Sequence, residues 1–179
     1  MVETTGRSAL GAIEGLGDLS HASVVYTRDA RYAFVFGRDG GLTKVDLLTR
    51  SIVNRVVQSG NSIGGAISQD GSLVAVANYA PGGVKVFTTD TLKLVADIPA
   101  TWGDGSQRAK VVGLEDAANG RFAFSLFEAG EIWVADFADV AKPVVTRHRN
   151  IGRQPYDALV TPDGRYYLAG LYGEDGLAM

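Results

Sequence analysis

The sequence predicts an all-β chain folded as a β-propeller of four-stranded blades. Three observations carry this. The first is a repeat: TRDARYAFVFGRDGGLTKVDLLT (27–49), SQDGSLVAVANYAPGGVKVFTTDT (68–91), DAANGRFAFSLFEAGEIWVADFAD (116–139) and TPDGRYYLAGLYGEDGLAM (161–179). The opening turns, at Asp29, Asp70, Asn119 and Asp163, stand 41, 49 and 44 residues apart. Each copy runs from its turn into an apolar strand, a second turn and another strand, the pattern of propeller blades. The second observation is composition: glycine is 23 of 179 residues and proline only 5, so Gly, Asp and Asn turns punctuate the chain. The third is that apolar runs such as Tyr32–Phe36 and Leu73–Ala77 are short and bounded by turns, with no long run at helical spacing.

Taken in order, Ser8–Gly15 (SALGAIEG) resembles the outer strand of a unit whose inner strands lie outside the chain. The first blade reads as Ser23–Thr27, Tyr32–Gly37, Leu42–Leu47 and Ser51–Gln58. The second reads as Gly64–Ser68, Leu73–Asn78, Val84–Thr88 and Leu92–Pro99. The third reads as Val111–Glu115, Phe122–Phe127, Ile132–Phe137 and Val144–Arg149. Val84 and Val86 alternate with Lys85 and Phe87, as a strand with two unlike faces requires. The last copy stops in its third strand at Leu177-Ala178-Met179. Residues 1–179 therefore read as a partial propeller domain, three complete blades and two fragments, with both ends inside blades. A closed ring takes about 4–8 blades, and uncapped terminal repeats leave apolar faces and strand edges open. A longer chain, or a second copy forming a homo-oligomer, is expected to cover them.

The formal charge is −3 and the pI about 5.3, which gives no sign of a nucleic-acid partner. No apolar run approaches the ~20 residues of a membrane span. Cysteine is absent, which excludes disulfides, thiolate metal sites and CxxCH haem attachment within these residues. The opening MVETTGRSAL lacks the basic-then-apolar order of a signal peptide.

A propeller gathers function at a mouth. Loops from each outer strand to the next inner strand share one mouth with the loops joining second and third strands. In this sequence those loops hold His21, Arg38, Asn61, Trp102, Asp104, Arg108, Lys110, Arg153, Tyr156 and Asp157. Imidazole can ligate iron, guanidinium pairs with carboxylates, and aromatic rings make apolar walls. A flat, polycarboxylated, metal-containing ligand suits that set.

Ser20-His21-Ala22-Ser23, running into Arg31–Gly40 (RYAFVFGRDG), resembles the d1 domain of cytochrome cd1 nitrite reductases. The fuller match, over GLGDLSHASVVYTRDARYAFVFGRDGGLTKVDL and ANYAPGGVKVFTTDTL, is to haem d1-biosynthesis members of that family. It covers essentially all of this chain and about half of such a protein. The resemblance implies an eight-bladed ring and a tetrapyrrole ligand, haem d1 or its dihydro precursor. It makes His21 the axial ligand to the tetrapyrrole iron, and places Arg38 beside the macrocycle and Arg108 near its carboxylates. Lys110 and Arg153 match more loosely, and Asn61 and Tyr156 join the binding set by their place at the mouth. It further implies a periplasmic location, a part in denitrification, and nitrite reductase or other haem d1 maturation proteins as partners.

Plainer readings stand beside these. His148, between Arg147 and Arg149 on an outer strand, reads as a solvated face. Arg38 is also a hairpin-turn residue, Arg108 and Lys110 also surface charge, Trp102 inter-blade packing, and Asp157 a turn acceptor. Gly60-Asn61-Ser62-Ile63-Gly64 matches the GxSxG nucleophile elbow, but that elbow needs a helix after the serine, and a strand is predicted here. Gly15-Leu16-Gly17 and Gly103-Asp104-Gly105 lack the helix that a dinucleotide loop needs. Three function classes fit: a protein that binds a late haem d1 intermediate and modifies its side chains, by oxidation or decarboxylation; a carrier of the same ligand; and a YVTN-type interaction propeller.

Overall fold

A computed structural model describes all 179 residues. It contains nineteen strands and no helix. A short hairpin, β1 (Val2–Glu3) with β2 (Ser8–Ala9), precedes the first blade, β3 (Ser23–Tyr26), β4 (Tyr32–Phe36), β5 (Gly41–Asp46) and β6 (Ser51–Val57). The second blade is β7 (Asn61–Ile67), β8 (Leu73–Ala80), β9 (Gly83–Thr88) and β10 (Leu94–Ile98). A hairpin, β11 (Thr101–Trp102) with β12 (Gln107–Arg108), leads to the third blade, β13 (Val111–Ala117), β14 (Arg121–Leu126), β15 (Glu131–Asp136) and β16 (Val144–His148). The fourth sheet has three strands, β17 (Pro155–Val160), β18 (Tyr167–Leu171) and β19 (Leu177–Ala178). Every blade is an antiparallel meander in chain order, so the predicted architecture holds blade by blade.

The inner strands sit side by side, β3 by β7, β7 by β13 and β13 by β17. That arrangement brings four separate blades to one axis. The core lies between blades. Phe34, Phe36 and Leu42 of the first pack with Val74, Val76, Phe87 and Leu92 of the second. A larger cluster joins Ala75, Ala77, Val84 and Val86 to Phe122, Phe124, Leu126 and Trp133. Middle strands covered on both faces lose their alternation: β8 is buried from Leu73 through Asn78, and β14 from Phe122 through Leu126. Each buried Phe in these seams contributes on the order of 2 kcal/mol by leaving water.

Two expectations are corrected. Ser8–Gly15 is not an outer blade strand; only Ser8–Ala9 is extended, and it pairs with Val2–Glu3. The irregular stretch that follows lies against the first blade: the Leu10 carbonyl accepts from Arg50 and the Leu16 carbonyl from Arg55. Second, the long connection 101–110 carries its own hairpin, with Thr101 opposite Arg108.

The repeated opening turn has one chemistry. Thr27, Ser68 and Thr161 donate their hydroxyls to Asp29, Asp70 and Asp163, and the same carboxylates accept from the backbone of Arg31, Ser72 and Arg165. The third blade has Ala117 and Asn119 at these places. Just before them, Asp116 buries one carboxylate oxygen with no hydrogen-bond partner. Burial pushes its carboxyl up to about 6, against the opposing pull of the Gln69 backbone and Arg28. A carboxyl raised in the folded state holds its proton better there than in the unfolded chain. Stability is therefore lost as pH rises from about 4 through about 6, and stays lower above. Asp116→Asn is expected to stabilise the protein by about 1 kcal/mol at pH 7, after discounting for partial exposure, and to change little below pH 4. Urea midpoints of both proteins across that range test this. A difference independent of pH would reject it.

Candidate functional site

The four inner strands enclose an axial cleft of about 290 Å³. His21 and Ser23 come from the start of the first blade, Ile63–Gly65 from β7, Gly113–Glu115 from β13, and Asp157 and Ala158 from β17. The strands approach closely because small residues face one another. Gly113 has φ +54°, and a Cβ on it would stand 2.5 Å from the Tyr156 carbonyl oxygen and 2.9 Å from the Tyr167 hydroxyl. That hydroxyl donates to the Gly113 carbonyl (2.6 Å) and shares a hydrogen bond with Ser125 Oγ (2.7 Å). The seam between the third and fourth blades is thus closed by a buried tyrosine.

Two carboxylates line the cleft, Glu115 and Asp157. Neither has an ion-pair or hydrogen-bond partner among the contacts of the chain. Burial, with Asp116 and Asp157 nearby, holds the Glu115 carboxyl above its ordinary range. Asp157 lies within β17, not in a turn. Ser23 Oγ faces the same cleft and is buried without a partner. Asn61, which opens β7, buries its Oδ1 unpartnered as well. A buried polar atom with no partner is uncommon in folded proteins and asks for one.

The mouth carries an aromatic group that sequence reasoning only partly found. Tyr156 was expected there; Phe127 and Tyr172 were not singled out. Tyr156 shares a 2.8 Å hydroxyl–hydroxyl hydrogen bond with Tyr79. Its ring lies 5.6 Å from Phe127 and 5.8 Å from Tyr172. Tyr79 stands next to last in β8, Phe127 follows β14 and Tyr172 follows β18, each at the turn between the second and third strands of its blade. That equivalence is the signal by which the sequence could have revealed them. Burial, reinforced by Tyr156, raises the Tyr79 hydroxyl pKa.

The cations are not equivalent. Lys110 is bound to Glu128 (3.0 Å) and sits over the rings of Phe127 and Tyr79. Arg153 pairs with Glu174 at 3.5 Å. Arg38 lies in the β4–β5 turn, where its backbone amide donates to the Asp18 carbonyl, and Arg108 stands exposed on β12; neither side chain has an ion-pair partner. His21 is exposed at the cleft, apart from the aromatic group. Tyr156 and Lys110 are joined through that group, whereas the Arg108 side chain bonds to none of the other expected site residues.

His148 is exposed on β16. Trp102 packs against the second–third blade core. Ser62 is buried and donates its hydroxyl to the Gly37 carbonyl at 2.7 Å, within a strand, so it is no nucleophile.

Comparison with known proteins agrees with this architecture. The chain is 64% identical over 179 residues to Protein NirF of Pseudomonas aeruginosa and spans 46% of that protein. It is 31% identical over 149 residues to the dihydro-heme d1 dehydrogenase of the same organism, covering 83% of this chain and 30% of that one. The chain thus spans less than half the length of the curated relatives it matches. Among solved structures, dihydro-heme d1 dehydrogenase NirN in complex with DHE superposes with a TM-score of 0.76 at 28% identity, over 88% of this chain and 34% of that one. The cytochrome D1 heme domain profile matches residues 1–179, and the chain belongs to that family.

Proposed function

We propose that this chain forms part of a haem d1 biosynthesis protein and binds a late tetrapyrrole intermediate, haem d1 or its dihydro precursor, for modification of the ring's side chains. The observation that carries the reading is the axial cleft: four inner strands of a d1-type propeller converge on it, with His21 among its lining residues, while the mouth loops carry Arg38, Arg108, Lys110 and Arg153. The high identity to NirF supports it. The residues present fit such a ligand. His21 would offer an imidazole nitrogen to the ring's iron. Tyr156, with Tyr79, Phe127 and Tyr172, offers aromatic wall at the mouth. Arg38 and Arg108 are free to meet carboxylates, and Lys110 and Arg153 would have to exchange Glu128 and Glu174 to do so. Ser23 Oγ and Asn61 Oδ1 are unpartnered groups that a polar ligand edge would satisfy. The same reading places the protein in the periplasm, serving nitrite reductase maturation in denitrification.

Titration of the full-length protein with haem d1 and with its dihydro precursor, followed by visible absorption, tests this. A saturable shift is expected, and His21→Ala is expected to change the bound spectrum and weaken binding about tenfold or more, since loss of even a metal ligand's hydrogen-bonding partner costs about 10–100-fold. No shift with either pigment would overturn the tetrapyrrole reading. An unchanged spectrum and affinity in the variant would remove His21 from the site. Single-turnover assays with the precursor then separate modification from carriage: unaltered pigment would leave a carrier.

A further inference from the structure

The cleft and the mouth above it differ in sign. The mouth loops carry Arg38, Arg108, Lys110 and Arg153 together with Asp104, Glu128 and Glu174, whereas the cleft wall has no lysine or arginine and two carboxylates, Glu115 and Asp157. The opposed charges of Lys110 and Arg153 are already met at the rim by Glu128 and Glu174. Nothing in the chain meets Glu115. It is half-buried on β13, with Asp116 next to it in sequence and Asp157 facing it from β17. Tyr167 from β18 feels both Glu115 and Asp157, which raise its hydroxyl pKa further beyond the effect of burial. His21 is the one other titratable group on the cleft wall. A half-buried carboxylate without a cation is costly, so a positive charge entering the cleft relieves it. Ser23 Oγ, buried and unpartnered in the same cleft, shows independently that its wall is incomplete as it stands.

We propose that Glu115, seconded by Asp157, is the counter-charge of the axial cleft, which selects a ligand whose centre is positive and holds the ligand's own carboxylates outside at the cationic mouth. The inference rests on the tetrapyrrole reading and deepens it. A ferric ion in a dianionic macrocycle leaves one net positive charge at the centre; a ferrous ion leaves none. The pair therefore favours the oxidised form of the bound pigment, an electrostatic preference that Coulomb's law makes large where water is partly excluded. It also fixes orientation. A macrocycle with carboxylates turned inward would set like charges together, whereas one with them turned outward meets Arg38 and Arg108.

The test is affinity in two oxidation states. The full-length protein and its Glu115→Gln and Asp157→Asn variants are titrated with ferric and with ferrous haem d1 by visible absorption, and the midpoint potential of the bound pigment is measured. Glu115→Gln is expected to weaken ferric binding about tenfold, leave ferrous binding within about twofold, and raise the potential. Asp157→Asn, at an exposed residue, is expected to act in the same direction and less. Equal weakening of both states, or no change in either, would overturn the counter-charge role while leaving the tetrapyrrole reading intact. No absorption change in the unaltered protein with either state would overturn the reading itself, and the proposal with it.

Discussion

Gly113→Ala is expected to destabilise the protein by about 3 kcal/mol or more and to loosen the seam between the third and fourth blades. Two costs combine. The residue has φ +54°, a conformation that an L side chain adopts at a penalty of about 1 kcal/mol. The added methyl would also stand 2.5 Å from the Tyr156 carbonyl oxygen, 2.8 Å from the Ala158 methyl and 2.9 Å from the Tyr167 hydroxyl. Backbone cannot retreat as a flexible side chain would, so β17 must shift, and overpacking of this kind typically costs about 1–3 kcal/mol. The Tyr167 bonds to the Gly113 carbonyl and to Ser125 lie in the same seam. Urea unfolding gives the energy, and hydrogen exchange locates it: protection is expected to fall first in β17 and β18. A change under about 0.5 kcal/mol, or one spread evenly over all blades, would show that the close approach does not hold the seam. Because Glu115 and Asp157 stand on the two strands so joined, the same variant is expected to widen the cleft and weaken any ligand that both walls touch.

Trp133→Ala is expected to cost about 3–5 kcal/mol, the range for truncating a large buried aromatic. Trp133 is 1% exposed and sits in the core between the second and third blades. One of its faces is covered by the Arg147 guanidinium, 3.9 Å from the ring centre. Its indole N–H donates to Glu131 Oε2 at 2.6 Å. The truncation therefore opens a cavity and also leaves Glu131, itself nearly buried, with only the 3.8 Å approach of Arg149. Trp133→Phe separates these effects. It keeps most of the ring and removes the donor, for about 1–3 kcal/mol, the cost of one unsatisfied buried acceptor. Equal losses in the two variants would mean that the hydrogen bond, and not the packing, accounts for the effect.

The mouth was legible as a place more than as a set of contacts. His21, Asn61 and Tyr156 were placed near it by their position where inner strands begin, and the structure puts them at or beside those starts. Arg38 was legible because a hairpin turn must present its residues at that end. Their partners were not legible. Lys110 and Glu128 lie 18 residues apart and Arg153 and Glu174 lie 21 apart, each bridging the start of an inner strand and a turn of the same blade. No local pattern marks either pair as spent. Tyr79 and Tyr156 are 77 residues apart, and their hydroxyls meet only because two blades, not adjacent in sequence, face one axis. Ser8–Gly15 departs from its reading for a related reason: a stretch of small and apolar residues resembles an outer blade strand, but Ser8 and Ala9 pair only with Val2–Glu3, and the Leu10 carbonyl accepts from the Arg50 side chain of the first blade.

The N-terminal blade fragment that the sequence suggests is not present; what the amino-acid sequence by itself determined is the class of fold and the four repeats with their turns. Those follow from local chemistry: Ser or Thr two residues before Asp closes a turn, glycine supplies the positive φ of the next one, and the period counts the blades. Only the tertiary structure decided the sign of the cleft, which cations remain free, and which aromatic rings touch. Those depend on how tightly neighbouring blades pack. Packing brings together residues from separate repeats, and it withdraws from water carboxylates that the sequence shows only as ordinary surface charge.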